Sequence, residues 1–433
     1  MRKEKLSFWQ IWNMSFGFLG VQYAFGLQQA NMSPIYRYLG AEEDKIPLLW
    51  LAGPITGLLI QPVIGAMSDV TWHPRWGRRR PYFAIGAVLA SVALILMPHS
   101  SSLWMAAGLL WILDSGANIA MEPFRAFIAD KLPEEQRSTG FSMQSFFVGL
   151  GQTLANLMPF LLPILGITMV VGSATDNGIP NFVKLSFYTG AVAILVSIAI
   201  TIFTTKENPP SPRELESIKA KRSVRNNIME IILAFKEMPA AMKRLWWVKF
   251  FTWIGLPLMW QYLSLSIARH GFNAPNPTDL GFDEGVKWGS MGLAIFNIAC
   301  FAVSFLLPIS CDRIGRKQTH ALFLAIGGLG FITMLGSNNV YFTMGCMALV
   351  GCSWASIMAM PYVLLSTAVP PQRMGVYMGI FNMFIVIPQI ISMVIVPVIY
   401  HPILGGDPRH ALVLAGICLL AAAAACLRYK EDE

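Results

Sequence analysis

Asp114, Asn118, Glu122 and Arg125 stand in the stretch WILDSGANIAMEPFRAFIAD, whose other residues are mostly apolar. A helix advances about 100° per residue, so Asn118 lies about 40°, Glu122 about 80° and Arg125 about 20° round from Asp114. All four share one face. A charge turned from that face to lipid costs about 2.5–3.5 kcal/mol on insertion scales, so the stripe must look into protein or an aqueous cavity. Arg125 lies about 16 Å along the axis from Asp114, too far for a constant ion pair. A mid-membrane carboxyl group without a fixed charged partner takes up and releases protons near neutral pH. These residues point to proton exchange at Asp114, assisted by Arg125 and Glu122 nearer the end of the helix. For Glu122 and Arg125 the plainer alternative is a structural tether to a neighbouring helix.

The elements that must position such a stripe are membrane spans. The chain has 433 residues, 55% hydrophobic and 13% charged, against about a quarter charged in soluble domains. Apolar runs of about 20 residues recur along it. Twelve are expected, at 9–30, 47–67, 82–98, 103–128, 141–165, 185–204, 245–267, 288–309, 319–335, 340–366, 374–399 and 409–427. The net charge of +8 is a matter of topology. With both termini cytoplasmic, 24 of the 32 Lys and Arg fall in inward segments and 6 in outward loops, the positive-inside bias. A nucleic-acid partner is not implied. The start, MRKEKLSF, lacks the layout of a cleaved signal peptide. Cys300, Cys311, Cys346, Cys352, Cys418 and Cys426 show no metal spacing and read as packing residues. Neither a metal nor a cofactor is expected.

Residues 205–244 form the one long polar interruption, rich in Pro at its start and basic throughout, with part of 212–238 able to lie as a surface amphipathic helix. It divides the chain into an N-terminal six-helix bundle (1–204), a cytoplasmic linker (205–244) and a C-terminal six-helix bundle (245–433). The bundles echo each other. GAMSDVTWHPRWGRRRP (65–81) follows span two and ISCDRIGRKQ (309–318) follows span eight; Pro123 and Pro361 are 238 apart, Gln152 and Gln389 237 apart. A six-span unit repeated in parallel resembles the layout of major facilitator transporters, whose substrate site lies midway between the halves. Asp-to-Arg-x-Gly-Arg-Arg loops are a mark of that superfamily. Asp69 with Arg75, Arg78, Arg79 and Arg80, and Asp312 with Arg313 and Arg316, are candidates for a cytoplasmic gate, although basic clusters of this kind also simply set topology.

Amides punctuate the spans without charge: Gln22, Gln28, Gln29, Gln152, Asn156, Gln261, Asn297, Asn382 and Gln389. Each alone is as readily interhelical glue as a ligand contact. As a set, with Asp114 and Asn118, they suit a neutral, hydroxyl-rich ligand. Trp253 and Trp260, seven apart, offer a flat wall for the C–H face of a sugar ring.

GVQYAFGLQ (20–28), WLAGPITGLLIQPVIGAMSD (50–69), RWGRRRP (75–81), ILD…N…PFRAFIAD (112–130) and GIFNMFIVIPQ (379–389) resemble the plant sucrose:proton symporters and their animal and bacterial sugar-transporter relatives, the glycoside–pentoside–hexuronide:cation branch. The resemblance covers nearly all spans. It implies that Asp114 is the acid central to proton coupling, that Arg125 is the associated arginine, and that a glucoside such as sucrose or maltose is imported. Two positions depart from the plant pattern. Acids late in span seven are replaced in LPLMWQYLSLS (256–266) by Gln261, Tyr262 and Ser264, and a histidine before span two is matched here by Glu43. Compact loops fit a bacterial member.

The expectation is an all-α, multi-pass protein of the inner or plasma membrane, a monomer and not an enzyme, importing a disaccharide with a proton by alternating access. An uncoupled facilitator or exporter, with Asp114 contacting sugar hydroxyls, is the alternative. A membrane enzyme using Asp114 and Glu122 as an acid–base pair would need a second catalytic constellation, which the sequence does not offer.

Overall fold

The computed structural model describes residues 4–167, 178–207, 209, 235–368 and 374–429. Among them it is helical throughout, with one isolated bridge between His73 and Gly77 and no strand. The long helices are α1 (Phe8–Tyr38), α2 (Ala52–Val70), α3 (Arg80–Leu96), α4 (Leu103–Lys131), α5 (Glu134–Ile164), α6 (Asn181–Thr204), α7 (Ala240–Gly271), α8 (Phe282–Ser304), α9 (Arg316–Thr333), α10 (Val340–Ala368), α11 (Met374–Tyr400) and α12 (Pro408–Arg428). Each expected span falls on one of them. Ten are long and apolar enough to cross a membrane. The other two, α1 and α7, are long enough at 31 and 32 residues but more polar. They open the two repeats, and both bury most of their residues among their neighbours. The part of 212–238 considered for a surface helix lies mostly outside the described residues.

By packing, the chain divides into two compact units, Met1–Gly40 with Ile55–Ser223, and Ala41–Pro54 with Val224–Glu433. In the first, α1 packs on α5 and α6, and α3 on α4 and α6. In the second the same pairs recur six helices later: α7 on α11 and α12, α9 on α10 and α12. The short segment between α1 and α2 is thus part of the second unit, where a helical turn at Ile46–Leu49 rests on α11.

Local chemistry explains how α1 and α4 are set. Ser7 and Gln10 form a reciprocal capping box at the start of α1, satisfying two otherwise unpaired N–H groups. Ser102 caps α4 by accepting from the Met105 N–H at 3.3 Å. The crossing of α3 and α4 depends on small residues. A Cβ on Gly116 would stand 2.7 Å from the Ala90 nitrogen, and one on Gly86 2.5 Å from the Gly116 carbonyl oxygen. Close backbone approach at glycine is a standard device where lipid supplies no hydrophobic drive. Below this crossing Phe83 stacks on Phe124 at 3.9 Å, and Phe18 meets the same ring edge-on.

Candidate functional site

In the first unit the polar face of α4 is built layer by layer. Asp114 is fully buried; its Oδ1 accepts from Gln28 Nε2 at 2.9 Å, and its Oδ2 has no hydrogen-bond partner among the described residues. One turn on, Asn118 donates to Thr56 Oγ1 at 3.2 Å and accepts from Gln61 Nε2 at 2.7 Å. Another turn on, Glu122 and Arg125 approach each other at 3.6 Å, both partly exposed, and Arg125 also reaches the Met121 sulfur. The stripe therefore splits: a buried acid with a neutral amide partner, and a loose i,i+3 ion pair toward the helix end. Such a pair contributes at most about 0.5 kcal/mol.

Across from this stripe, Gln152 of α5 donates to Gln22 Oε1 at 2.9 Å, and Gln22 reaches the Met121 sulfur. Gln29 is only half-buried and takes no part in these bonds. Asn156, one turn beyond Gln152, is fully buried with both amide atoms unpartnered among the described residues. Thr56 and Gln61 thus complete the bonded cluster. Alone in the sequence, Thr56 and Gln61 are unremarkable polar residues of span two.

The second unit offers a different surface. Gln261 is 1% exposed and neither amide atom has a partner, and the indole N–H groups of Trp253 and Trp260 are likewise unpartnered among the described residues. Trp354 of α10 stands edge-on to both indoles, each 5.9 Å away between centroids. Buried polar groups are nearly always paired; these amide and indole groups are left open among the described residues. Asn297 spends its N–H on the Leu293 carbonyl of its own helix. Asn382 and Gln389 are half-buried on α11.

The two repeated loops differ. In the first, Arg79 is buried and pairs with Asp130 at 2.8 Å, while also donating to Ser68. Glu207, just past α6, accepts from the backbone N–H groups of Arg78, Arg79 and Arg80 at 2.9, 2.9 and 3.1 Å. It caps α3 from 127 residues away, a carboxylate at the positive end of a helix. Gly77, at φ 77°, makes room for it: a Cβ there would lie 2.7 Å from the carboxylate. Arg75 is exposed, Arg80 half-buried, and the Asp69 side chain lies outside the described residues. In the second loop Asp312, Arg313 and Arg316 are exposed and form no ion pair among the described residues. Asp312 lies on the short helix Leu307–Ile314.

One buried cluster joins two residues the sequence marked only as departures from the plant pattern, Glu43 and Tyr262, to Arg269 and Tyr400. Glu43, within the second unit, receives Arg269 Nη2 at 2.8 and 3.0 Å and the Tyr400 hydroxyl at 2.6 Å. The Tyr262 hydroxyl donates to the Glu43 carbonyl at 3.0 Å, and the two tyrosine rings stack at 5.3 Å.

Repeated six-helix units, membrane-length helices and buried polar faces within them define a multi-pass membrane transporter. Residues 14–393 match the family model of the Major Facilitator Superfamily, and the chain belongs to that superfamily. It is similar to a sucrose transport protein of Oryza sativa subsp. indica, 24% identical over 86% of this chain and 78% of the relative. It is also similar to a general alpha-glucoside permease of Schizosaccharomyces pombe, 23% identical over 88% of this chain and 85% of the relative. Among solved structures, a D-xylose–proton symporter superposes with a TM-score of 0.66 at 18% identity, over 98% of both chains. The nucleoside transporter NupG gives 0.70 at 14%, over 98% of this chain and 99% of its own. Membership of a transporter superfamily sets aside the enzyme reading of Asp114 and Glu122.

Proposed function

We propose that this transporter is a symporter importing a disaccharide or related glucoside with a proton, Asp114 being the group loaded and emptied in each cycle. The observation that carries it is Asp114 itself: fully buried, one oxygen held by a neutral amide, the other without a partner among the described residues. An acid locked to a permanent cation holds its charge throughout; one held by the Gln28 amide, with the Tyr36 phenol in electrostatic reach, is free to gain and lose it. Protonation removes the cost of carrying a charge through a closed intermediate. The curated relatives named for sucrose and alpha-glucosides support the sugar, and the open amides and indoles suit hydroxyls and a ring face.

A tenfold proton gradient contributes about 1.4 kcal/mol. A potential of 100 mV adds about 2.3 kcal/mol per charge. Together they support accumulation of several hundredfold for one proton per sugar. The same reading takes residues 1–204 and 245–433 as the two moving bundles, 205–244 as the cytoplasmic link, both termini inside, and a monomer in the plasma or inner membrane. Its bacterial placement rests on the compact loops. An uncoupled sugar facilitator or exporter is the competing account.

The test is uptake of labelled mono- and disaccharides into proteoliposomes under an imposed pH step. Uphill uptake of sucrose or maltose, abolished by a protonophore, is expected. Uptake that only equilibrates, indifferent to the pH step, favours the facilitator.

A further inference from the structure

The place in the second repeat that matches Asp114, counted back from Pro361, is Cys352, so the sequence confines coupling charge to the first repeat. The second unit nevertheless buries a charge-bearing group of its own. Lys249, about two and a half turns into α7, is 1% exposed, and its Nζ has no hydrogen-bond partner among the described residues. Three rings from three helices surround it: Phe381 of α11 at 4.7 Å, Tyr362 of α10 at 5.1 Å and Trp253 of α7 at 5.8 Å from Nζ to the centroid. His320 of α9 lies within its electrostatic reach. That imidazole is 1% exposed; its Nδ1 shares a hydrogen bond with Ser356 Oγ at 2.8 Å, and its Nε2 has no partner among the described residues.

An acid to pair with Lys249 is missing from the surrounding helices. The sequences of α7, α9, α10, α11 and α12 contain no Asp or Glu. On α8, Asp283 and Glu284 occupy the first turn, beside Gly285, which packs against Ala268, about 28 Å along α7 from Lys249. One further acid, Glu237, stands exposed ahead of α7; the remaining titratable neighbours are basic or weakly acidic. Lys243 and Arg244 precede it on α7 and are exposed. Tyr377 of α11 donates to the Glu237 carbonyl, and Cys426 of α12 to the Lys317 carbonyl.

A buried ammonium is normally held by a carboxylate and hydrogen bonds. Here only ring faces replace the lost water, and they attract the cation without an acceptor to fix its protons. The same apolar walls accommodate the neutral amine, and two bases side by side disfavour double protonation. We infer that Lys249 is a second proton-binding group of this transporter, positioned in the second unit by the Trp253–Tyr362–Phe381 cage and by His320. Its place in the transport cycle rests on the proton-coupled reading above; its proton exchange does not.

The full chain in detergent is titrated from about pH 5 to 10 while tryptophan emission is followed, because a charge 5.8 Å from Trp253 perturbs that indole. One step is expected in the parent protein and in Asp114→Asn, absent from Lys249→Met, with its midpoint displaced in His320→Gln. Lys249→Arg, charged at every pH, also lacks the step and serves where Lys249→Met does not fold. A step that survives in either folded Lys249 variant, or no step in the parent, overturns the inference. In proteoliposomes with labelled sucrose or maltose, Lys249→Met removes one limb of the pH profile of uptake, leaving the limb set by Asp114, while sugar exchange continues. If neither sugar is moved, the symport reading fails, and the emission titration still decides on Lys249.

Discussion

Gln28 Nε2 lies 2.9 Å from Asp114 Oδ1, and the second carboxyl oxygen of this fully buried acid has no partner among the described residues. A single neutral donor biases the carboxyl group without committing it to one charge state. Hydrogen bonds to charged groups contribute about 1.5–3 kcal/mol, and one pH unit corresponds to about 1.4 kcal/mol. Gln28→Leu is therefore expected to displace the pH dependence of uptake by about one to two units. Leucine at Gln22, bonded to Gln152 and not to the acid, is expected to weaken apparent sugar affinity and leave the pH profile in place. Uptake measured against pH for both variants checks this.

The α3–α4 crossing makes a sharper demand. At Gly116 a new side chain meets the Ala90 backbone, which cannot move without shifting a helix. Gly116→Val is expected to cost about 3 kcal/mol and to abolish uptake by displacing Asp114. Gly108 lies on the same helix, and a Cβ added there would have nothing within 4 Å, so Gly108→Ala should melt and transport normally. Thermal unfolding in detergent distinguishes the two.

Glu43 and Arg269 form a largely buried pair, with the Tyr400 hydroxyl closing the acceptor side. Removing Glu43 takes away the acid that touches the Arg269 guanidinium and leaves only the weaker pull of Asp407, at a cost of about 3 kcal/mol. Glu43→Ala is expected to lower the melting temperature markedly. Arg269→Lys, which can keep a contact with the carboxylate but loses the Nη1 bond to the Gly406 carbonyl, should lower it less.

Asp407 supplies a pH dependence outside the spans. Burial pushes its carboxyl group up, but the His270 hydrogen bond, the Arg409 backbone N–H and the charges of His270 and Arg269 together bring it down to about 2, below its ordinary 3.8. A folded value below the unfolded one contributes stability above about pH 4 that disappears as pH falls through about 2. Discounted for partial exposure, that contribution is about 1 kcal/mol. Asp407→Asn should melt below the parent at pH 7, and the gap should close between pH 4 and 2.

The α4 stripe was legible because four polar residues at 100° increments in an apolar run leave little choice of arrangement, and the repeat was legible from its matching loops and prolines. What the sequence concealed was partnership over distance. Gln28 and Asp114 are 86 residues apart, Glu207 and the Arg80 N–H 127, Glu43 and Arg269 226. None of these pairs carries a local pattern. The polar character of α1 and α7 had a similar cause. Both turn most of their length toward other helices, so amides and Lys249 interrupt what hydropathy alone would count as a span.

Proton movement into proteoliposomes, followed with a pH-sensitive dye on adding sucrose or maltose, tests the central claim most directly. The account predicts sugar-dependent alkalinisation of the medium by the parent protein and none by Asp114→Asn, which should still exchange labelled sugar across the membrane. Undiminished sugar-driven proton uptake by folded Asp114→Asn would contradict it.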